Sequence, residues 1–159
     1  MRNIMFCGLF LSLGAGIGLM AGKMNAKRQV QEEKVKTDKF RGYYDLLNKW
    51  LKLGHQKVSL DQWFEEERIQ SVAIYGLGEI GYRLVEELQD SNVTVKYGID
   101  KNSVSGYDNL EIRTLDEKID EVDAIIVTPI FAFNEIAQKI EEKYAGRIVS
   151  MEDIIFDLT

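Results

Sequence analysis

The chain has 159 residues, 45% of them apolar and 29% charged, with one Pro, one Cys and one His, which leaves room for one compact domain and a modest appendage. A single cysteine excludes a disulfide framework or a cysteine-cluster metal site, and a single histidine removes most zinc chemistry and histidine-based triads. The net charge of −6 divides unevenly, because residues 23–57 hold ten basic and four acidic side chains whereas residues 58–159 hold nine basic and twenty-two acidic, and so acidic a globule excludes nucleic acid as its partner.

From Ile4 to Gly22 the chain runs nineteen residues without a charge. At about 1.5 Å per helical residue this approaches the roughly 30 Å hydrocarbon layer, so residues 1–22 are expected to form a transmembrane helix in a lipid bilayer. A cleaved signal peptide is the rival reading, with Arg2 before a shorter apolar core. Gly14, Gly18 and Gly22 share one helical face, where a second copy or a partner helix could approach. Lys23, Lys27 and Arg28 follow at once, and this basic flank predicts a cell-membrane protein with a cytoplasmic carboxyl-terminal domain.

Residues 23–39 read as a basic stalk, helical or partly disordered. Residues 40–69 read as two amphipathic entry helices. The first presents Phe40, Tyr43, Tyr44, Leu47, Trp50 and Leu51 at three- and four-residue spacing, which predicts one apolar face packed on the globule or lying at the membrane interface. The second starts after His55, with Ser59 as N-cap and Gln62 as its capping-box partner.

Ser71 to Tyr75 is a short β-rich run, followed by Gly76-Leu77-Gly78-Glu79-Ile80-Gly81 and then by helical periodicity to Leu88. This is G-x-G-x-x-G between a strand and a helix. The first glycine permits the tight turn, the second lets a phosphate approach the backbone, and the third lets the helix sit close to the strand. A second strand, Val93 to Ile99, ends in Asp100, where a carboxylate can accept hydrogen bonds from a ribose diol. The bland alternative is a turn kept for packing without a ligand.

Leu110 to Ile112 is expected as a short edge strand, Leu115 to Ile119 as a helical turn, and Ala124 to Thr128 as a buried strand. A helix over Phe131 to Tyr144, a strand over Arg147 to Ser150 and a helix over Met151 to Leu158 complete the reading. The predicted fold class is α/β, with residues 70–159 forming a small doubly wound, Rossmann-like parallel sheet of order 3-2-1-4-5. Its ligand crevice is expected at the carboxyl ends of the strands. Thr128 would face that crevice, either touching ligand or capping the helix start after Pro129.

The stretches WLKL, SLDQWFEEE, VAIYGLGEIGYRLVEEL, VKYGIDKN and AIIVTPIFAFNEI resemble the Rossmann-like modules of bacterial cell-surface polysaccharide biosynthesis proteins. Some of those are fused to glycosyltransferases. The resemblance implies binding of NAD or a nucleotide-sugar at Gly76, Gly78, Gly81 and Asp100, and a glycosyltransferase as a possible partner. No substrate domain follows the sheet, and Tyr97 and Lys101 straddle a strand end, so they do not form a reductase pair. Three readings stand: a membrane-anchored nucleotide- or nucleotide-sugar-binding module accessory to polysaccharide synthesis; an NAD-dependent oxidoreductase or epimerase-like subunit needing a partner chain; and a ligand-free scaffold acting through Phe131, Phe133 and the Tyr43–Trp50 face.

Overall fold

Five parallel strands form the sheet: β1 (Ser71–Tyr75), β2 (Thr94–Ile99), β3 (Ile112–Arg113), β4 (Ala124–Val127) and β5 (Arg147–Ser150), in the order β3-β2-β1-β4-β5. The expected strand order is thus observed. This computed structural model describes the backbone of residues 2–101 and 110–159, and the side chains of residues 27–101 and 110–159. The helices are α1 (Arg2–Gln56), α2 (Asp61–Glu66), α3 (Glu79–Leu88), α4 (Phe133–Glu141) and α5 (Met151–Asp157). The chain divides into two compact units, Met1–Tyr44 and Asp45–Thr159.

In the first unit, the stalk expected over residues 23–39 is part of α1. Its described surface is solvated, with Arg28–Glu32 (3.4 Å) and Lys36–Glu33 (2.9 Å) paired one turn apart. The side chains of the apolar run Ile4–Gly22, with its Gly14, Gly18 and Gly22 face, lie outside the described residues. Among the described residues no helix is long and apolar enough to cross a membrane.

In the second unit, β1 is central and its residues Val72 to Tyr75 are buried, as are all four residues of β4. Burial on both faces is why these segments read as unbroken apolar runs instead of alternating ones. Side chains of Ala73, Tyr75, Tyr97, Ile99, Ile125 and Val127 share one face with Ile136 and Ile140 of α4. Alternation sends Val72, Ile74, Ala124 and Ile126 to the other. The connection from β1 to β2 runs one way across the sheet and that from β4 to β5 the other, so right-handed crossovers place α3 and α4 on opposite faces. Register shifts between Val72 and Ala73, which pair with Val95 and Tyr97, so Lys96 bulges out of the ladder and its Nζ donates to Glu121 O at 3.0 Å.

Three local expectations need correction. The face expected from Phe40 to Leu51 is split: Leu46, Trp50 and Leu53 form the buried stripe of α1, while Phe40, Tyr44, Leu47 and Leu51 are exposed. The two sets are neighbouring stripes of one helix, and periodicity alone merged them. The buried stripe is fixed by a polar contact, since Trp50 Nε1 donates to Glu87 Oε2 on α3 at 3.2 Å. In place of the capping box, Ser59 Oγ accepts from the amide of Asp61 at 3.2 Å, and α2 starts there. The turn expected over Leu115 to Ile119 is a single turn at its start, closed by the Glu117 amide donating to Thr114 O at 3.1 Å and by the Thr114 amide donating to Glu117 Oε1 at 2.8 Å. Thr128 does not cap the helical turn after Pro129, which has no side-chain cap; its hydroxyl turns back to β1 instead.

Candidate functional site

The sheet reverses its winding direction between β1 and β4, and the chains leaving these strands diverge there. Such a switch point opens a crevice at the carboxyl ends of the strands. Here it holds about 350 Å³, within the usual range for small-ligand sites, and lies between Tyr75, Gly76, Asp100 and Lys101 on one side and Pro129, Ala132, Glu135, Ile136 and Lys139 on the other.

The three glycines of the turn have separate duties. Gly76 adopts φ +89°, and a Cβ there would also lie 2.7 Å from Pro129 Cδ and 2.9 Å from Thr128 Oγ1. A Cβ on Gly81 would collide with the carbonyl oxygen of Gly76, so the first turn of α3 can sit against β1 only with glycine there. Gly78 is different: it is exposed, and a Cβ would meet nothing within 4 Å. Gly78 is also the N-cap of α3 and offers no side-chain cap, so the amides of Ile80 and Gly81 in the first turn lack the partner a Ser or Asp would supply. Glu79 lies exposed in this first turn, where its charge complements the helix dipole.

Leu77 holds the turn against β2 in two ways. Its side chain is buried and packs over Gly98, where a Cβ would collide with Leu77 Cδ1. Its amide donates to Asp100 Oδ2 at 2.8 Å. Asp100, expected as a ribose acceptor, therefore also positions the glycine turn.

Thr128 is 4% exposed, and its hydroxyl donates to the Gly76 carbonyl at 2.6 Å. The Thr128 amide donates to Tyr75 O at 3.0 Å, so this residue ties the end of β4 to the turn. Asp123 does the same at the opposite end, where its Oδ2 accepts from the amides of Gln70 and Ser71 at 2.9 and 2.7 Å and from Ser71 Oγ at 2.9 Å. These bonds hold its carboxyl below the ordinary aspartate value.

Sequence reasoning missed the wall that α4 contributes. Glu135 and Lys139 are one turn apart and pair at 2.6 Å, which lowers the glutamate pKa and raises that of the lysine. Their i, i+4 spacing was the available signal. Tyr75, the last residue of β1, reads as plain core in the sequence, yet it lines the crevice beside them.

No protein-family model matches the chain, and no curated protein matches it.

Proposed function

We propose that this protein is a membrane-anchored module that binds a nucleotide or nucleotide-sugar in the crevice between β1 and β4, accessory to the synthesis of a cell-surface polysaccharide. One observation carries the ligand reading: Gly78 is open and uncapped at the start of α3, while Gly76 and Gly81 on either side are closed by packing. Packing accounts for two of the three glycines but gives no reason for the second. A phosphate seated on the uncapped amides supplies that reason, because the helix start offers both donors and a positive field.

The residues present fit such a ligand. Gly78, Glu79 and Ile80 would hold the phosphate through their backbone, Gly76, Leu77 and Gly81 shape the turn, and Asp100 would accept from the ribose. Thr128, buried against Gly76, supports the turn from behind. The membrane reading rests on the uncharged run from Ile4 to Gly22 and its basic flank, and the glycan context on the resemblance of the glycine turn and the Ile99-Asp100-Lys101 ending to polysaccharide biosynthesis modules.

Titration calorimetry of the full chain with NAD, NADP, UDP, GDP and their sugar conjugates tests the ligand. Saturable heat with at least one of them is expected, and its absence from all of them at millimolar concentration overturns the reading. Reporter fusions at the carboxyl terminus test the anchor, with activity expected only from a cytoplasmic reporter.

A further inference from the structure

A second cavity, of about 790 Å³, opens at the opposite end of the sheet from the crevice, between α2 and the segments that lead into β1 and β2. Asp61, Glu65 and Arg68 border it, beside an apolar wall of the buried Phe64, Ile69 and Val93.

The charged groups of this cavity are unanswered within the protein. Asp61 Oδ1 is closed off from solvent yet accepts no hydrogen bond, the one buried side-chain polar atom among the described residues of which that is true. An orphaned acceptor is costly to keep. The two oxygens of an aspartate exchange by rotation about a soft torsion, so a donor placed in the cavity can reach this one. Arg68 borders the same space, yet among the described residues it pairs with neither Asp61 nor Glu65 nor any other carboxylate. On the same side of the domain Arg147 and Glu67 do pair, at 2.6 Å. Opposite charges therefore line one cavity without neutralising each other.

That arrangement selects the ligand. A simple anion would suit Arg68 but be repelled by Asp61 and Glu65, and a simple amine would be repelled by Arg68. A divalent cation needs more oxygen ligands than two carboxylates, and among the described residues no three His, Cys, Asp or Glu side chains are grouped to hold one. A zwitterion brings an ammonium for the carboxylates and a carboxylate for the guanidinium, whose fork of N–H donors matches it. The apolar wall and the volume leave room for an apolar side chain.

We propose that this cavity binds a free α-amino acid with an apolar side chain, its ammonium donating to Asp61 and Glu65 and its carboxylate accepting from Arg68. The site is separate from the crevice between β1 and β4, so either can fail without the other.

Calorimetry of the full chain with L-leucine and L-phenylalanine tests it, beside analogues that lack one charge: isoamylamine and isocaproate for the first, phenethylamine and hydrocinnamate for the second. Saturable binding of at least one amino acid is expected, with either analogue weaker by about tenfold or more, the worth of one charged hydrogen bond. Asp61→Asn keeps the shape of the side chain and should lower the affinity by about tenfold. Arg68→Gly should lower it as far while raising the melting temperature, because Arg68 sits at φ +57° just after α2, where glycine is at ease. Lost binding in that variant cannot then be mistaken for lost folding. No saturable heat from either amino acid at millimolar concentration, equal binding of amino acid and analogues, or undiminished affinity in both variants overturns the site.

Discussion

The amide of Leu77 points at the carboxylate of Asp100 across 2.8 Å, and the Leu77 side chain lies over Gly98 on the same strand. The glycine turn is therefore braced by β2 before any ligand arrives. Asp100→Ala should cost about 1.5–3 kcal/mol of stability, the range for a hydrogen bond to a charged acceptor, and should weaken inorganic phosphate as well as nucleotides. Asp100→Asn keeps an acceptor oxygen and should lose less. Urea unfolding and phosphate titration of the two variants check this; equal phosphate affinity in Asp100→Ala and wild type would show that the brace does not shape the turn.

Replacing the second and third glycines should have opposite outcomes. Gly78→Ser adds a side chain where there is space and supplies the missing cap, so stability should hold or rise by a few tenths of a kcal/mol while nucleotide binding is lost. Gly81→Ala forces a methyl into the Gly76 carbonyl and should destabilise by about 1–3 kcal/mol. Thermal unfolding beside calorimetry separates the two effects.

Acid should loosen the junction of β1 and β4 at its Asp123 end. Asp123 has a depressed pKa because it accepts from Gln70 and Ser71, so its contribution is present above the unfolded value, about 3.9, and is lost as pH falls through the lower folded value. Asp123→Asn should be less stable than wild type at neutral pH, and the gap should close below about pH 4. Denaturation curves at pH 7, 4 and 3 measure the gap; a constant gap would mean the charge plays no part.

Truncation should reveal where the second unit begins. Leu46, Trp50, Leu53, Leu60, Trp63 and Phe64 are all buried, so a chain starting at Asp45 should unfold cooperatively, whereas one starting at Gln70 bares their contacts and should aggregate. Equal solubility and equal cooperativity of the two would place those side chains outside the core.

The parts of the structure legible in the sequence are those fixed by local backbone chemistry. Gly76 and Gly81 announce their turn because side chains rarely tolerate a left-handed φ and never a carbonyl against Cβ, and β1 and β4 announce themselves by unbroken apolar runs. Strand order followed from the connections. What stayed hidden depends on partners distant in sequence. Trp50 and Leu51 are adjacent and equally apolar, and only the presence of α3 decides that one is buried and the other exposed. Tyr75 looks like any strand aromatic until α4 places Glu135 and Lys139 beside it, and Thr128 looks like a cap until the Gly76 carbonyl claims its proton.

The pairing of β1 with both neighbours also sets an order of assembly. Its partner β2 is reached within some two dozen residues through one helix, but Val72 must meet Ala124 on β4 across more than fifty. Closing the longer loop costs more chain entropy, and its two clasps, Asp123 to Ser71 and Thr128 to Gly76, form only after closure. The β1-α3-β2 unit should thus consolidate early and docking of β4 should gate the folding rate. On that account the crevice, which exists only between β1 and β4, is the last feature of the domain to appear as the chain folds and the first to vanish when it opens.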